Sequence, residues 1–94
     1  MFEVQVLIPT FDNNSRQFVS SEFKAFEVVL LNAFGGFSLY PSEVTGAWTN
    51  GTQVFNDKNR VYSVAVSSIT EGEKVKSVVA FAKTHFAQEA IFIR

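Results

Sequence analysis

Three aromatic and two charged residues in the middle of the chain have the chemistry of a small-molecule pocket. They are Tyr40, Trp48, Asp57, Arg60 and Tyr62. Such pockets combine aromatic surface with a few polar groups that fix the orientation of the ligand. The five residues are therefore predicted to bind a ligand. The structural alternative is that Trp48 covers the edge of the sheet, Tyr62 packs within a strand and Asp57 makes a turn.

His85 is the single histidine of the chain, and a histidine can act as a general base near neutral pH. It has no second histidine or carboxylate close by in sequence. Its helical spacing from Lys74 and Phe81 indicates the border of a buried face instead, so no catalytic residue is predicted. With one His and no Cys, only carboxylates remain as metal ligands, and their spacing shows no binding loop. We therefore expect neither a metal nor another cofactor.

Two further motifs have both a functional and a structural interpretation. Arg94 follows Gln88 and Glu89 closely and could hold an anion, pair with a partner subunit, or simply be solvated. Gly35-Gly36 follows a predicted helix, whereas a phosphate loop must precede one. The glycines are therefore predicted to end that helix.

The composition excludes several classes of protein. The 94 residues have a formal net charge of −1, so the electrostatic signature of nucleic-acid binding is missing. The absence of cysteine excludes disulfides and thiolate catalysis and fits a reducing compartment. No run approaches the roughly 18 apolar residues of a membrane helix, and no basic leader precedes the first strand. We expect one cytoplasmic domain over residues 1–94, with no nucleic-acid or membrane partner.

Six periodic segments must position these residues. They are Phe2–Ile8, a helix from Ser20 or Ser21 to Gly35-Gly36, Phe37–Tyr40, Arg60–Val66, a helix from the capping box of Thr70 and Glu73, and Glu89–Ile93. The order strand, helix, strand, strand, helix, strand predicts an α+β fold, the ferredoxin-like βαββαβ sandwich. Its antiparallel sheet is expected in the order 4-1-3-2, with two helices on one face.

The region between Pro41 and Arg60 allows two arrangements. Gly46–Thr49 either resumes the second strand or forms a separate edge strand, and Asn50-Gly51 predicts a tight turn after it. The polar run 56–59 is interpreted as a connection into the next strand.

Helical spacing assigns the buried faces of both helices. The first is lined by Phe23, Phe26, Leu30 and Phe34, and the second by Val75, Val78, Val79, Ala82 and Phe86. Val28, Leu31 and Phe81 fall outside these stripes.

The sheet face away from the helices is predicted to be half apolar. Alternation places Gln5, Leu7, Ala65 or Val66, and Phe92 on it. A sheet face that mixes polar and apolar residues on so small a domain indicates a partner, and two-fold dimers are the most frequent assembly. We therefore expect a homodimer through this open face, with a small apolar ligand as a further candidate partner.

A set of short motifs resembles a family of small, functionally uncharacterised bacterial proteins with a ferredoxin-like fold. The motifs are Phe34-Gly35-Gly36, Tyr40, Gly46-x-Trp48, Asp57, the strand with Tyr62, and Gln88-Glu89-x-Ile91-x-Ile93-Arg94. More distantly, the chain resembles dimeric α+β-barrel proteins, whose sheets pack face to face. The first resemblance implies the fold and no activity.

Two function hypotheses follow from these observations. The first is a non-enzymatic binding or interaction domain. The alternative is a cofactor-independent enzyme that resembles the α+β-barrel monooxygenases, with Trp48, Asp57, Arg60 and His85 as its candidates. RNA binding is disfavoured because the Tyr62 strand lacks the basic-Gly-aromatic pattern. An acylphosphatase-like activity is disfavoured because no Gly-rich loop follows the first strand.

Overall fold

The computed structural model describes residues 2–12, 14, 16–67, 72–88 and 91–94. Within them, the elements in chain order are β1 (Phe2–Pro9), α1 (Ser20–Phe34), β2 (Ser38–Leu39), β3 (Val44–Thr49), β4 (Val54–Val66), α2 (Gly72–His85) and β5 (Phe92–Ile93). No helix in the described ranges is both long and apolar enough to cross a membrane.

The strands form one antiparallel sheet in the order β2-β4-β1-β5. Since β4 and β5 are the predicted third and fourth strands, the α+β fold and the order 4-1-3-2 are confirmed. The pairing of β1 with β4 runs from Phe2 opposite Val66 to Pro9 opposite Asn59. The last strand lies on the other side of β1, where the backbones of Gln5 and Arg94 exchange hydrogen bonds of 2.7 and 3.0 Å.

The predicted second strand is split into β2 and β3, which both pair with β4. Asn59 is opposite Pro9 on one side and Val44 on the other, so β3 continues the edge that β2 begins. Pro41 lies in the gap, where its missing N–H costs no ladder bond.

The predicted connection at 56–59 belongs to β4, which begins at Val54 rather than Arg60. Polar residues fit a strand here because β3 and the first part of β4 form a ribbon, the β3–β4 arm (44–58), that extends past the end of β1. The turn is formed around Asn50 and Gly51. Gly51 has a φ of 100°, and the side chain of Asn50 accepts hydrogen bonds from the backbone N–H groups of Thr52 and Gln53.

Helix α1 ends as predicted but is capped differently at its start. The cap position is Val19, not a serine, and its N–H donates to Oε1 of Glu22 over 3.0 Å. The Glu22 carboxylate therefore supplies the half of a capping box that accepts the N–H of the cap residue, while Val19 has no hydroxyl to accept an N–H of the first turn. At the other end, Gly35 has φ of 79° and its N–H donates to the Leu31 carbonyl over 2.8 Å.

Helix α2 is described from Gly72, so the capping box predicted at Thr70 lies outside the described residues. Val78, Ala82 and Phe86 are buried as predicted. Phe81 departs from the prediction. It packs against the core, and its ring is stacked on Phe26 at 6.4 Å. A long aromatic side chain reaches the core from a position that the helical spacing places outside the apolar stripe.

The core lies between the two helices and one face of the sheet. Its buried members are Val6, Ile8, Phe18, Phe23, Phe26, Leu30, Tyr62, Val64, Val66, Val78, Ala82 and Phe86. Phe18 comes from the connection before α1, and no periodic pattern marks it. Its ring meets Phe86 edge to face at 5.1 Å. All contributing sheet residues share one face, so the two described helices leave the other face uncovered.

Candidate functional site

The five residues predicted to bind a ligand lie on different parts of the fold. Tyr62 is wholly buried on the helix side of β4, and its hydroxyl donates to Oε2 of Glu27 over 2.8 Å. Arg60 lies on the same side, 3.7 Å from that carboxylate and with its guanidinium 3.9 Å from the centre of the Phe23 ring. Burial raises the pKa of Tyr62 above its ordinary value. These contacts join α1 to β4.

The other three members lie elsewhere. In the β3–β4 arm, Trp48 is opposite Phe55 and Asp57 is opposite Gly46. Tyr40 lies at the end of β2, and its hydroxyl accepts a hydrogen bond from the side chain of Gln5. Gln5 belongs to the open face of the sheet, so Tyr40 and Tyr62 lie on opposite faces.

Tyr40 is one member of a hydrogen-bonded group that we call the open-face network, which consists of Glu3, Gln5, Tyr40, Ser63 and Arg94. The Gln5 amide donates to Oε1 of Glu3 over 3.2 Å as well as to Tyr40. Ser63 donates to Oε2 of Glu3 over 2.9 Å, and Nε of Arg94 donates to the side-chain oxygen Oε1 of Gln5 over 2.6 Å. Four strand segments thus contribute polar side chains to one patch.

Strand alternation explains why these residues face away from the helices. Val4, Val6 and Ile8 contribute to the core side of β1, which leaves Glu3 and Gln5 for the other side. On β4, Ser63 lies between two core residues and directly opposite Gln5. Alternation in the sequence identifies Gln5 on this face. It cannot identify the network, because its other members meet Gln5 only through the strand register.

A groove of about 590 Å³ adjoins the network where β1 begins and α1 ends. This Phe groove is lined by Phe2, Glu3, Phe34, Gly35, Gly36, Phe37, Ser38, Ser63, Val64 and Ala65. Glu3 and Ser63 belong to both the groove and the network. Apolar aromatic surface and a hydrogen-bonded carboxylate are therefore continuous at this end of the sheet.

His85 makes contacts that hold α2 against α1. Its Nε2 is 2.8 Å from the Glu22 carbonyl oxygen, and its ring is stacked on Phe81 at 5.0 Å. Hydrogen bonding from Arg16 lowers the pKa of Glu22 to about 2, so this carboxylate stays ionised in the first turn of α1. Within the described ranges, no three His, Cys, Asp or Glu side chains are grouped so that they could hold a metal ion.

Comparison with known proteins adds evidence on the fold. The chain is similar to a phage SAM lyase in complex with S-methyl-5'-thioadenosine, with a TM-score of 0.72, 8% identity, and coverage of 97% of this chain and 76% of the other. The same kind of enzyme in its apo state gives a TM-score of 0.71, 13% identity, and coverage of 97% and 75%. At these identities the likeness concerns the fold alone. No protein-family model and no curated protein matches the chain.

Proposed function

We propose that the chain is a small-molecule binding domain whose ligand occupies the Phe groove and contacts the open-face network. The observation that carries this proposal is the continuity of the two surfaces through Glu3 and Ser63. Phenylalanine rings supply apolar contact area for a flat ligand, and the carboxylate accepts hydrogen bonds from its polar edge.

The ligand class that best fits this chemistry is a nucleoside thioether such as S-methyl-5'-thioadenosine. A purine ring stacks well on aromatic side chains. The hydroxyls of a ribose are donors that the Glu3 carboxylate accepts, and the Ser63 hydroxyl supplies a second polar group. The phage SAM lyase that shares this fold holds the same compound, which supports the choice of probe.

Titration of the protein with S-methyl-5'-thioadenosine in a calorimeter tests the proposal, and we expect saturable binding to one site. A groove-filling variant locates the ligand. Gly36 lines the groove, and a Cβ built on it meets no atom within 4 Å, so Gly36→Leu adds volume there without a clash at Cβ. We expect this variant to weaken binding by about tenfold or more, because it takes space from the ligand.

Gly72→Leu is the matched control, since a Cβ at Gly72 also meets no atom within 4 Å and this residue begins α2, away from the groove lining. It should leave the affinity unchanged. If no heat of binding is measured at millimolar ligand concentration, the proposed function is contradicted. Equal affinities of the wild type and Gly36→Leu would place the ligand elsewhere.

Homodimerisation through the open face is part of the proposal as well. Tyr40 is exposed on this face, which neither of the two described helices covers. A second copy would bury its ring and shield the network from water. We expect a concentration-dependent dimer in analytical ultracentrifugation, which Ala65→Arg should weaken, because Ala65 is exposed and on this face. Val28→Arg, exposed on the helix layer, is the control, and a monomer at every concentration would refute the dimer.

The enzyme alternative has less support. Of its predicted residues, Arg60 is engaged with Glu27 and Phe23, and His85 with the backbone of Glu22. These contacts favour structural roles for both. The binding domain is therefore the function that we propose.

A further inference from the structure

We propose that the open-face network holds the head of an α-amino acid, with the ligand's carboxylate at Arg94 and Tyr40 and its ammonium at Glu3. The inference rests on the proposed function and deepens it, because it specifies a second part of the ligand that binds in the Phe groove.

The side chain of Gln5 sets the geometry of this subsite. A guanidinium only donates hydrogen bonds, so the atom of Gln5 that Nε of Arg94 contacts at 2.6 Å is its carbonyl oxygen. The amide nitrogen must then face the other way, where it donates to Tyr40 and Glu3. Arg94 and Tyr40 are thereby held at the two ends of one carboxamide.

Both of these residues retain donors for a ligand. The Tyr40 oxygen accepts the Gln5 hydrogen bond, so its own hydrogen is directed elsewhere. For the terminal Nη groups of Arg94, the described part of the chain provides no hydrogen-bond or ion-pair partner. Guanidinium and phenol donors at one exposed patch are the groups that bind a carboxylate.

Glu3 makes an amino acid a better occupant than a phosphate. Within the described residues, its two oxygens accept one hydrogen bond each, from Gln5 and Ser63, and a carboxylate has roughly four acceptor positions. The remaining capacity and the negative charge suit an ammonium group. Only the side-chain amide of Gln5 separates the negative charge of Glu3 from Tyr40. This charge therefore repels a phosphate dianion more than an amino-acid zwitterion, which carries its own ammonium group.

The amino-acid head and the Phe groove are adjacent, because Glu3 and Ser63 belong to both. A nucleoside that carries an amino acid on its sulfur would therefore reach both surfaces at once. S-adenosylhomocysteine is such a compound. S-methyl-5'-thioadenosine has the same nucleoside and sulfur without the amino acid, so the pair isolates the contribution of the head.

Calorimetric titration of the wild-type protein with both compounds tests the inference. We expect S-adenosylhomocysteine to bind about tenfold more tightly, as charge-assisted hydrogen bonds to a carboxylate produce effects of this order. Arg94→Gln should abolish that difference, because it weakens the binding of S-adenosylhomocysteine far more than that of S-methyl-5'-thioadenosine. Tyr40→Phe should reduce the difference in part. Lys24→Gln, which removes one exposed positive charge on α1, should have no effect.

Each contrary outcome has a separate meaning. Equal affinities for the two compounds in the wild type, or an equal loss for both in Arg94→Gln, would overturn the subsite and leave the proposed function in place. Failure of both compounds to bind would overturn the proposed function.

The subsite has an independent test by NMR with acetate and inorganic phosphate as probes. We expect acetate to shift the side-chain amide signals of Gln5 in the wild type and not in Arg94→Gln. The amino-acid assignment would be overturned if acetate caused no shift, or if phosphate caused a larger shift than acetate. This outcome does not depend on the results with the two nucleosides.

Discussion

Phe26→Ala is expected to lower the free energy of unfolding by about 3–5 kcal/mol, the range for truncation of a buried phenylalanine. The Phe26 ring has no exposed surface and meets rings from β4, from α2 and from the residue that follows α2. Its ring centre is 5.3 Å from that of Tyr62 and 5.7 Å from that of Phe86. The cavity would therefore open where α1, α2 and the sheet converge, and no single element can move to fill it.

Urea denaturation followed by circular dichroism measures this loss. Val28→Ala on the same helix is the control, because Val28 is 54% exposed and its truncation should change the stability by less than about 0.5 kcal/mol. Similar losses for the two variants would mean that α1 does not pack as described.

The second large effect is expected at the polar contact between α1 and the sheet. Glu27→Leu should lower the free energy of unfolding by about 1–3 kcal/mol, the cost of leaving a buried donor without its acceptor. The Tyr62 hydroxyl donates to Glu27 over 2.8 Å, and the guanidinium of Arg60 is 3.7 Å from the same carboxylate. Glu27→Gln keeps an acceptor for the hydroxyl and should cost less.

A double-mutant cycle with Tyr62→Phe separates this hydrogen bond from the rest of the substitution. In the Tyr62→Phe background no hydroxyl is left unsatisfied, so Glu27→Leu should be less costly there. Strict additivity of the two substitutions in urea denaturation would refute the coupling.

Local sequence patterns were sufficient to predict the fold because each decides one face of one element. Alternation from Val4 to Ile8 defines the core side of β1, and the spacing of Phe23, Phe26 and Leu30 defines that of α1. The glycine pair after Phe34 ends the helix for a reason internal to the backbone, the positive φ of Gly35. None of these features depends on distant residues.

The features that the sequence could not predict depend on distant partners. The run Asn56-Asp-Lys has the composition of a loop, and it is a strand because residues 45–47 pair with it. Phe18 has no periodic neighbours and is buried because Phe86, the residue after α2, packs against it.

The candidate site shows the same limit. Aromatic composition grouped Tyr62 with Tyr40, although alternation on β4 assigns Tyr62 to the core face together with Val64 and Val66. Conversely, Glu3 and Arg94 are near opposite ends of the sequence and meet through Gln5 only because β5 lies beside β1. The register of β1 against both neighbours would have brought Glu3, Gln5, Ser63 and Arg94 together, and the register of β2 against β4 is needed to add Tyr40.

The pairing of β1 with β4 and β5 has a consequence for synthesis on the ribosome. The strand that emerges first must wait for its hydrogen-bonding partners until α1, β2 and β3 have also been translated. During that interval its backbone and its apolar residues are available to chaperones or to other nascent chains. The sheet of this domain can be completed only after β5 has left the exit tunnel.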